Sequence, residues 1–305
     1  MATKNLNSPD YWRRYDSSGI NNPLHIFRVI LQLLKDEPFS RNRRGRPMKA
    51  SPSEYCACLI LMSCFGWTFR ELEGMAETIL GRQIDFTTFC KVQRKIPPSY
   101  LQSMIQKIAV KLRRILDVKL LMIDSTGISC DRNRRVSISL KKEVVKLSVI
   151  ASYCPERSAL VIENSSVGPP ASDNKCLIPL LHEGLPKLPF LADRGYDDEP
   201  NFKALMRLGI PPLIKQRRWS GRGYGRMKAR NIFDEAVYCL RGIVETLFAG
   251  IQNRLKSLVR MRTWHARAVF ILGVALAHNI RTLMRQSLIC FYMINSTNSY
   301  PPDNV

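Results

Sequence analysis

Acidic residues and histidine are what this sequence has least of. Asp and Glu number 25 against 47 Lys and Arg, giving a formal net charge of +22 and an isoelectric point near 9.9. That imbalance argues against a cationic partner and points to a polyanion, nucleic acid before an anionic membrane surface. The four histidines form no His-Glu-x-x-His arrangement, and the nine cysteines form no Cys-x-x-Cys pair. A zinc centre therefore has no ligand set, an odd thiol count does not build a disulfide framework, and the cysteines are expected in the core. Long hydrophobic runs are also missing. Tyr55–Phe65 and Ala268–Ala277 are too short to span a bilayer, and Met1–Asn7 lacks the apolar centre of a signal peptide. The expected compartment is the cytoplasm. Gly221-Arg222-Gly223-Tyr224-Gly225 has no Gly-Lys-Ser/Thr and no helix expected directly after it, which excludes a nucleotide-binding loop.

What is present reads as two parts. The spacing predicts helices over 1–117. Asn22-Pro23 resembles a cap followed by proline at the first helical position, and Ile26, Ile30, Leu33 and Leu34 share a face. A basic loop, Ser40–Lys49, contains Arg44-Gly45-Arg46-Pro47, which resembles the core of an AT-hook; the alternative is a solvated basic linker touching phosphate. Ser51-Pro52-Ser53-Glu54 and Thr68-Phe69-Arg70-Glu71 are capping boxes, the second with Trp67 and Leu72 placed as a hydrophobic staple. Asp85 caps a third helix, Phe86–Lys95, bearing Lys91, Arg94 and Lys95. Three short helices of this kind fit a helix-turn-helix that binds DNA, although a plain bundle has the same pattern. Tyr100–Leu116 is a further helix.

From about Val118 the period changes. Lys119–Ile123 is a strand, and Glu143–Ser152 and Ser158–Ser166 make a hairpin. Cys176–Glu183 reads as helix, Leu188–Ala192 as strand, Glu199–Leu208 as helix and Pro211–Lys215 as a last strand. Phe233–Lys256 reads as one long helix, and Ala266–Gln286 as an apolar one. The fold expected for 118–290 is therefore α/β (α+β): a ribonuclease H-like mixed sheet with helices, preceded by the all-α region. Residues 291–305 read as a disordered tail. The basic, glycine-rich Trp219–Arg230, with Arg222 and Arg226 facing phosphate, is expected to be a mobile loop that closes over nucleic acid.

Three acids stand out. Asp124 ends the run Leu120-Leu121-Met122-Ile123, Asp193 ends Phe190-Leu191-Ala192, and a glycine follows each closely. Both read as strands delivering a carboxylate to the sheet's C-terminal edge, where α/β ligands bind. Glu245 lies in a helical stretch, with Tyr238 and Arg241 at i, i+3 and i+7 on one face. Singly, each acid has a structural explanation as turn former or surface ion pair. Together they make a cage for a hard divalent cation, Mg²⁺ or Mn²⁺.

Leu191-Ala192-Asp193-Arg194-Gly195-Tyr196-Asp197 resembles a signature block of insertion-sequence transposases of the IS4/IS5 type. Tyr238-x-x-Arg241-x-x-x-Glu245 is similar to their second block, and Ile123-Asp124-Ser125-Thr126 to their first acidic one. The resemblance covers Val118–Arg285 and implies a DDE transposase. On that likeness Asp124, Asp193 and Glu245 hold Mg²⁺ (or Mn²⁺), Tyr238 and Arg241 contact DNA beside the scissile phosphate, and the freed 3′-hydroxyl joins target DNA. Double-stranded DNA, as element ends and target, would be the partner, with a homodimer or higher oligomer on it. One departure is visible: where the family often has lysine, seven residues after the glutamate, this chain has Gln252. Two other classes remain open, a catalytically silent DNA-binding derivative and a metal-dependent nuclease without strand transfer. Asp197 and Asp198, in the same block, are expected to tolerate substitution better than Asp193.

Overall fold

A computed structural model describes residues 19–35, 39, 48–130, 144–217, 223–255 and 261–297, with side chains as far as 286. Its centre is a sheet of five strands: β1 Leu120–Ser129, β2 Val144–Cys154, β3 Ala159–Gly168, β4 Phe190–Ala192 and β5 Pro212–Ile214. The spatial order is β3-β2-β1-β4-β5. β1–β2–β3 form an antiparallel meander, whereas β4 and β5 run parallel to β1. This mixed α+β arrangement is consistent with the ribonuclease H-like expectation.

Among the described residues five helices precede the sheet: α1 Pro23–Lys35, α2 Pro52–Phe65, α3 Phe69–Leu80, α4 Phe86–Gln93 and α5 Pro98–Arg113. Their limits follow from local chemistry. Ser51 and Thr68 close both capping boxes reciprocally with Glu54 and Glu71, and Gly66 and Gly81 end α2 and α3 in the left-handed conformation that glycine adopts without strain. Asp85 accepts from Thr87 N–H at the start of α4. α2 is buried on nearly every side, from Tyr55 to Cys64, so Cys56, Cys58 and Cys64 are core thiols whose pKa burial pushes up.

After the sheet's last crossover, α6 Glu199–Arg207, come α7 Tyr224–Asn231, α8 Glu235–Tyr238, α9 Ile243–Gln252 and α10 Trp264–Thr297. α10 packs on α5, β3 and α2. It is long and apolar enough to cross a membrane by length and composition, but 83% of its most apolar stretch is buried inside the fold. One hydrophobic cluster runs from Ile26 and Leu61 through Ile105 and Val149 to Ile271 and Ile280. The helices of the first part thus share their core with α10 and one face of the sheet. A smaller cluster, with Leu121, Ile123, Phe190, Tyr196 and Phe202, covers the other face.

Between α10 and the sheet, β2 and β3 shift register at Ile150/Ala151, leaving Glu163 without a partner in the ladder. The side chain of Asn279 bonds the backbone of Ile162 on this edge strand, accepting from Ile162 N–H at 2.9 Å and donating to Ile162 C=O at 2.7 Å. Glu163 itself is buried, bonded to Arg113 and to Ser152 Oγ.

Several sequence expectations change. Cys176–Glu183 holds only a 3₁₀ turn at Ile178–Leu180, where Pro179 removes an amide donor. Phe233–Lys256 is not one helix: a 3₁₀ turn at Cys239–Gly242 separates α8 from α9. The glycine-rich stretch is followed at once by helix α7, contrary to expectation. α10 extends to Thr297, into the segment read as a tail. Arg44, Arg46, Arg222 and residues 298–305 lie outside the described residues.

Candidate active site

β1 is buried on both faces over Leu120–Ile123 and opens from Asp124 onward. The cause is length: β4 has only three residues, pairing Leu121 with Phe190 and Met122 with Leu191, so β1 outruns it. Two positions beyond the Met122–Leu191 pair lie Asp124 on one strand and Asp193 after the other. Both acids therefore occupy a notch at the carboxyl ends of β4 and β5, where open α/β sheets bind ligands.

Each carboxylate is held locally. Asp124 Oδ1 accepts from Ser125 N–H at 2.8 Å, and Asp193 Oδ1 accepts from Gly195 N–H as the cap of the 3₁₀ turn Arg194–Tyr196. Tyr196 turns inward beneath them, its hydroxyl 2.8 Å from Ser125 Oγ, which in turn is 2.8 Å from Ser148 Oγ. Burial pushes the Asp124 carboxyl above the ordinary range; the Ser125 amide and Arg241 oppose the rise, while the charges of Asp193 and Asp173 add to it. Crowded acids of this kind favour a cation among them.

Asp173 escaped the sequence reading. It sits in a 3₁₀ turn of an irregular connection and carries no periodic or motif signal. A Cβ placed on Gly195 would meet Asp193 Oδ1 at 2.8 Å and Asp173 Oδ2 at 2.9 Å, so both carboxylates crowd the same point and only glycine fits between them. Lys146 from β2 pairs with the other Asp173 oxygen at 2.6 Å.

The remaining residues are distributed around the notch. Arg241 is half-buried, and its charge acts on Asp124. Tyr238 lies by the end of β5, its ring 5.2 Å from Lys215 Nζ. Glu245 is exposed in the first turn of α9, which packs on β1. Among the described residues no three Asp, Glu, His or Cys side chains come close enough to hold one metal ion in common. Asp124 and Asp193 carry oxygen donors of the kind that suit a hard cation, and the charge of Asp193 is felt at Asp124. Gln252, at the far end of α9, reaches Thr126 Oγ1 at 3.4 Å, two residues past Asp124. Lys91, Arg94 and Lys95 are all exposed around the end of α4, remote in sequence from the notch. Arg226 faces inward, bonding Asp197 through Nε at 2.8 Å.

A mixed sheet with aspartates at its carboxyl edge, on a strongly basic chain, is the arrangement of a class of enzymes acting on nucleic acid. The particular family is shown by comparison: the transposase DDE domain matches residues 119–280, just over half of the chain. The protein belongs to this DDE transposase family. It is also similar, at 24% identity over 298 residues, to an uncharacterized protein of Aquifex aeolicus (strain VF5), with 90% of this chain and 92% of the relative covered.

Proposed function

We propose that the protein is an insertion-sequence transposase of the IS4/IS5 type that binds the element's ends, cuts DNA phosphodiester bonds and joins the 3′-hydroxyl ends to target DNA. The observation that carries this reading is the placement of Asp124 and Asp193 on neighbouring parallel strands inside the stretch that matches the transposase DDE family. In this reading Asp124 and Asp193 hold Mg²⁺ or Mn²⁺, and Glu245 is the third carboxylate. A pair of such ions would polarise the phosphodiester and activate water or a 3′-hydroxyl. The chain's own residues supply the rest. The Ser125 and Gly195 amides fix the two carboxylates, Arg241 offsets their charge, and Tyr196 with Ser125 and Ser148 braces β1 against the turn.

The DNA contacts of this reading are Tyr238 and Arg241 beside the notch, and Lys91, Arg94 and Lys95 on an α2–α4 unit that acts as a helix-turn-helix. Exposure of all three α4 cations supports the latter. Arg44, Arg46 and Arg222 would add phosphate contacts. Because the first five helices share a core with α10, this role belongs to the intact chain, not to an isolated 1–117 fragment. A homodimer or higher oligomer would hold two ends together.

The test is strand transfer: full-length protein, a duplex with a free 3′-hydroxyl end from the element, and a supercoiled target, in Mg²⁺ or Mn²⁺. Joined product supports the transposase; cutting without joining identifies a nuclease. A catalytically silent DNA-binding protein is the second reading, favoured because no three Asp, Glu, His or Cys side chains among the described residues are grouped to hold one metal ion, and binding without cutting would identify it.

A further inference from the structure

The block containing Asp193 holds a second aspartate that the proposed chemistry does not use. Asp197 has a side chain with no solvent exposure at all, unusual for a carboxylate. Its carboxylate is bonded to two basic residues downstream. Oδ1 accepts from Arg226 Nε at 2.8 Å, Oδ2 from Arg217 N–H at 2.9 Å, and its carbonyl from Arg226 Nη2 at 3.1 Å. Arg217 then returns to the turn, donating from Nε to Arg194 C=O at 3.0 Å, the same carbonyl that receives Asp197 N–H. The 3₁₀ turn that Asp193 caps is thereby fastened at its far end.

The other end of the fastening is α7. Glu199, at the start of α6, accepts from Gly225 N–H at 2.8 Å and Arg226 N–H at 3.2 Å, the orphan donors of α7's first turn. Gly223 and Gly225 let the helix approach this closely: a Cβ on Gly223 would lie 2.0 Å from Glu199 Oε2, and one on Gly225 2.8 Å from Phe202 Cβ. Gln216 adds a bond to Arg226 C=O at 2.7 Å. The sequence reads this stretch as a mobile basic loop, but its described part is a docked helix, with Arg226 spent inward.

We propose that Asp197 is a positioning residue: by clamping Arg226 of α7 to the turn after β4, it sets the direction in which Asp193 presents its carboxylate to metal. The inference rests on the reading of Asp193 as a metal ligand. Partners that orient metal ligands typically cost about 10–100-fold in metal affinity when removed. Asp197→Asn keeps the size and one acceptor but turns an amide toward Arg226, so the clamp opens. Arg226→Gln opens it from the half-exposed side, with less risk to folding, and Arg226→Lys restores the charge pair in part.

The experiment uses the full chain without DNA and titrates Mn²⁺ by calorimetry. Mn²⁺ dependence of cleavage and DNA affinity in Ca²⁺ are measured alongside, with exposed Glu156→Gln as the control. Asp197→Asn and Arg226→Gln should each weaken Mn²⁺ binding at least tenfold, and Arg226→Lys less. Excess Mn²⁺ should recover the cleavage rate, and DNA affinity should stay within about twofold, since Asp197 touches no solvent. A lower melting temperature with unchanged Mn²⁺ affinity and an unchanged metal optimum would mean that Asp197 is only a packing element, and the inference falls. If wild type takes up Mn²⁺ but Asp193→Asn does so equally well, the reading of Asp193 fails, and the inference fails with it.

Discussion

Replacing Asp193 by Asn isolates charge from shape at the notch. Asp193 Oδ1 accepts from Gly195 N–H, and an amide oxygen can keep that bond, so the 3₁₀ turn and the inward Tyr196 should persist. What disappears is one negative charge beside Asp124. In the proposed metal-assisted mechanism that charge would hold the ion, and its loss should cost about 4 kcal/mol of transition-state stabilisation, roughly a thousandfold in cleavage rate. Folding should not suffer. Asp193 is one of the charges that raise the Asp124 carboxyl, so the metal-free variant should be at least as stable as wild type. Asp124→Asn should behave alike, and the double variant should lose little more than either single one, as expected of groups that act as a unit. The assay is nicking of end-bearing duplex in Mg²⁺ and Mn²⁺, with binding measured separately in Ca²⁺ and stability by urea unfolding. Asp198→Asn is the control, because Asp197 is buried and unsuited to that use. Cleavage by Asp193→Asn at near wild-type rate, with binding intact, would refute the assignment.

Four further outcomes are expected. Glu163→Gln leaves Arg113 facing an amide in a buried site and should cost about 3 kcal/mol, the low end for a broken buried pair because Arg113 keeps Gly184 C=O; Glu163→Leu with Arg113→Met should cost much less in urea unfolding. Burial pushes His278 down from 6.5 to about 4, its Nε2 bonded to Leu160 C=O. The unfolded chain then binds a proton below pH 6.5 that the folded chain refuses until about 4, so stability is complete above 6.5 and falls through that window by about 3 kcal/mol; His278→Gln should flatten the fall. Gly223→Ala should displace Glu199 from the start of α7 and cost about 1–2 kcal/mol, read as a lower urea midpoint. Replacing Lys91, Arg94 and Lys95 together by alanine in the full chain should reduce the slope of log affinity against log salt by about 2–3 and leave the melting temperature within a degree or two.

Much of the molecule was legible in one dimension because the controlling physics is local. The capping boxes at Ser51 and Thr68 and the cap at Asp85 set the helix starts almost to the residue. Asp124 and Asp193 were visible because an apolar run ending in Asp marks the edge of a buried strand. Where local signals conflicted, the expectation failed. Gly221–Gly225 reads as flexible, since nothing in the sequence shows that Glu199 and Phe202 close on Gly223 and Gly225. Phe233–Lys256 has continuous helical spacing, yet the chain tightens to a 3₁₀ turn at Cys239–Gly242.

What only the tertiary structure decided is which charges meet. Asp173 joins the notch because its turn folds back against Gly195, and Asp197 is taken out of solvent because α7 brings Arg226 to it; neither event leaves a periodicity or spacing to read. Asn279 reaching from α10 to the backbone of Ile162 links residues more than a hundred positions apart. Local sequence sets where strands and helices begin and end, because capping and alternation act over a few residues. The electrostatics of the site come from contacts between distant segments, and those exist only once the sheet and its helices are assembled.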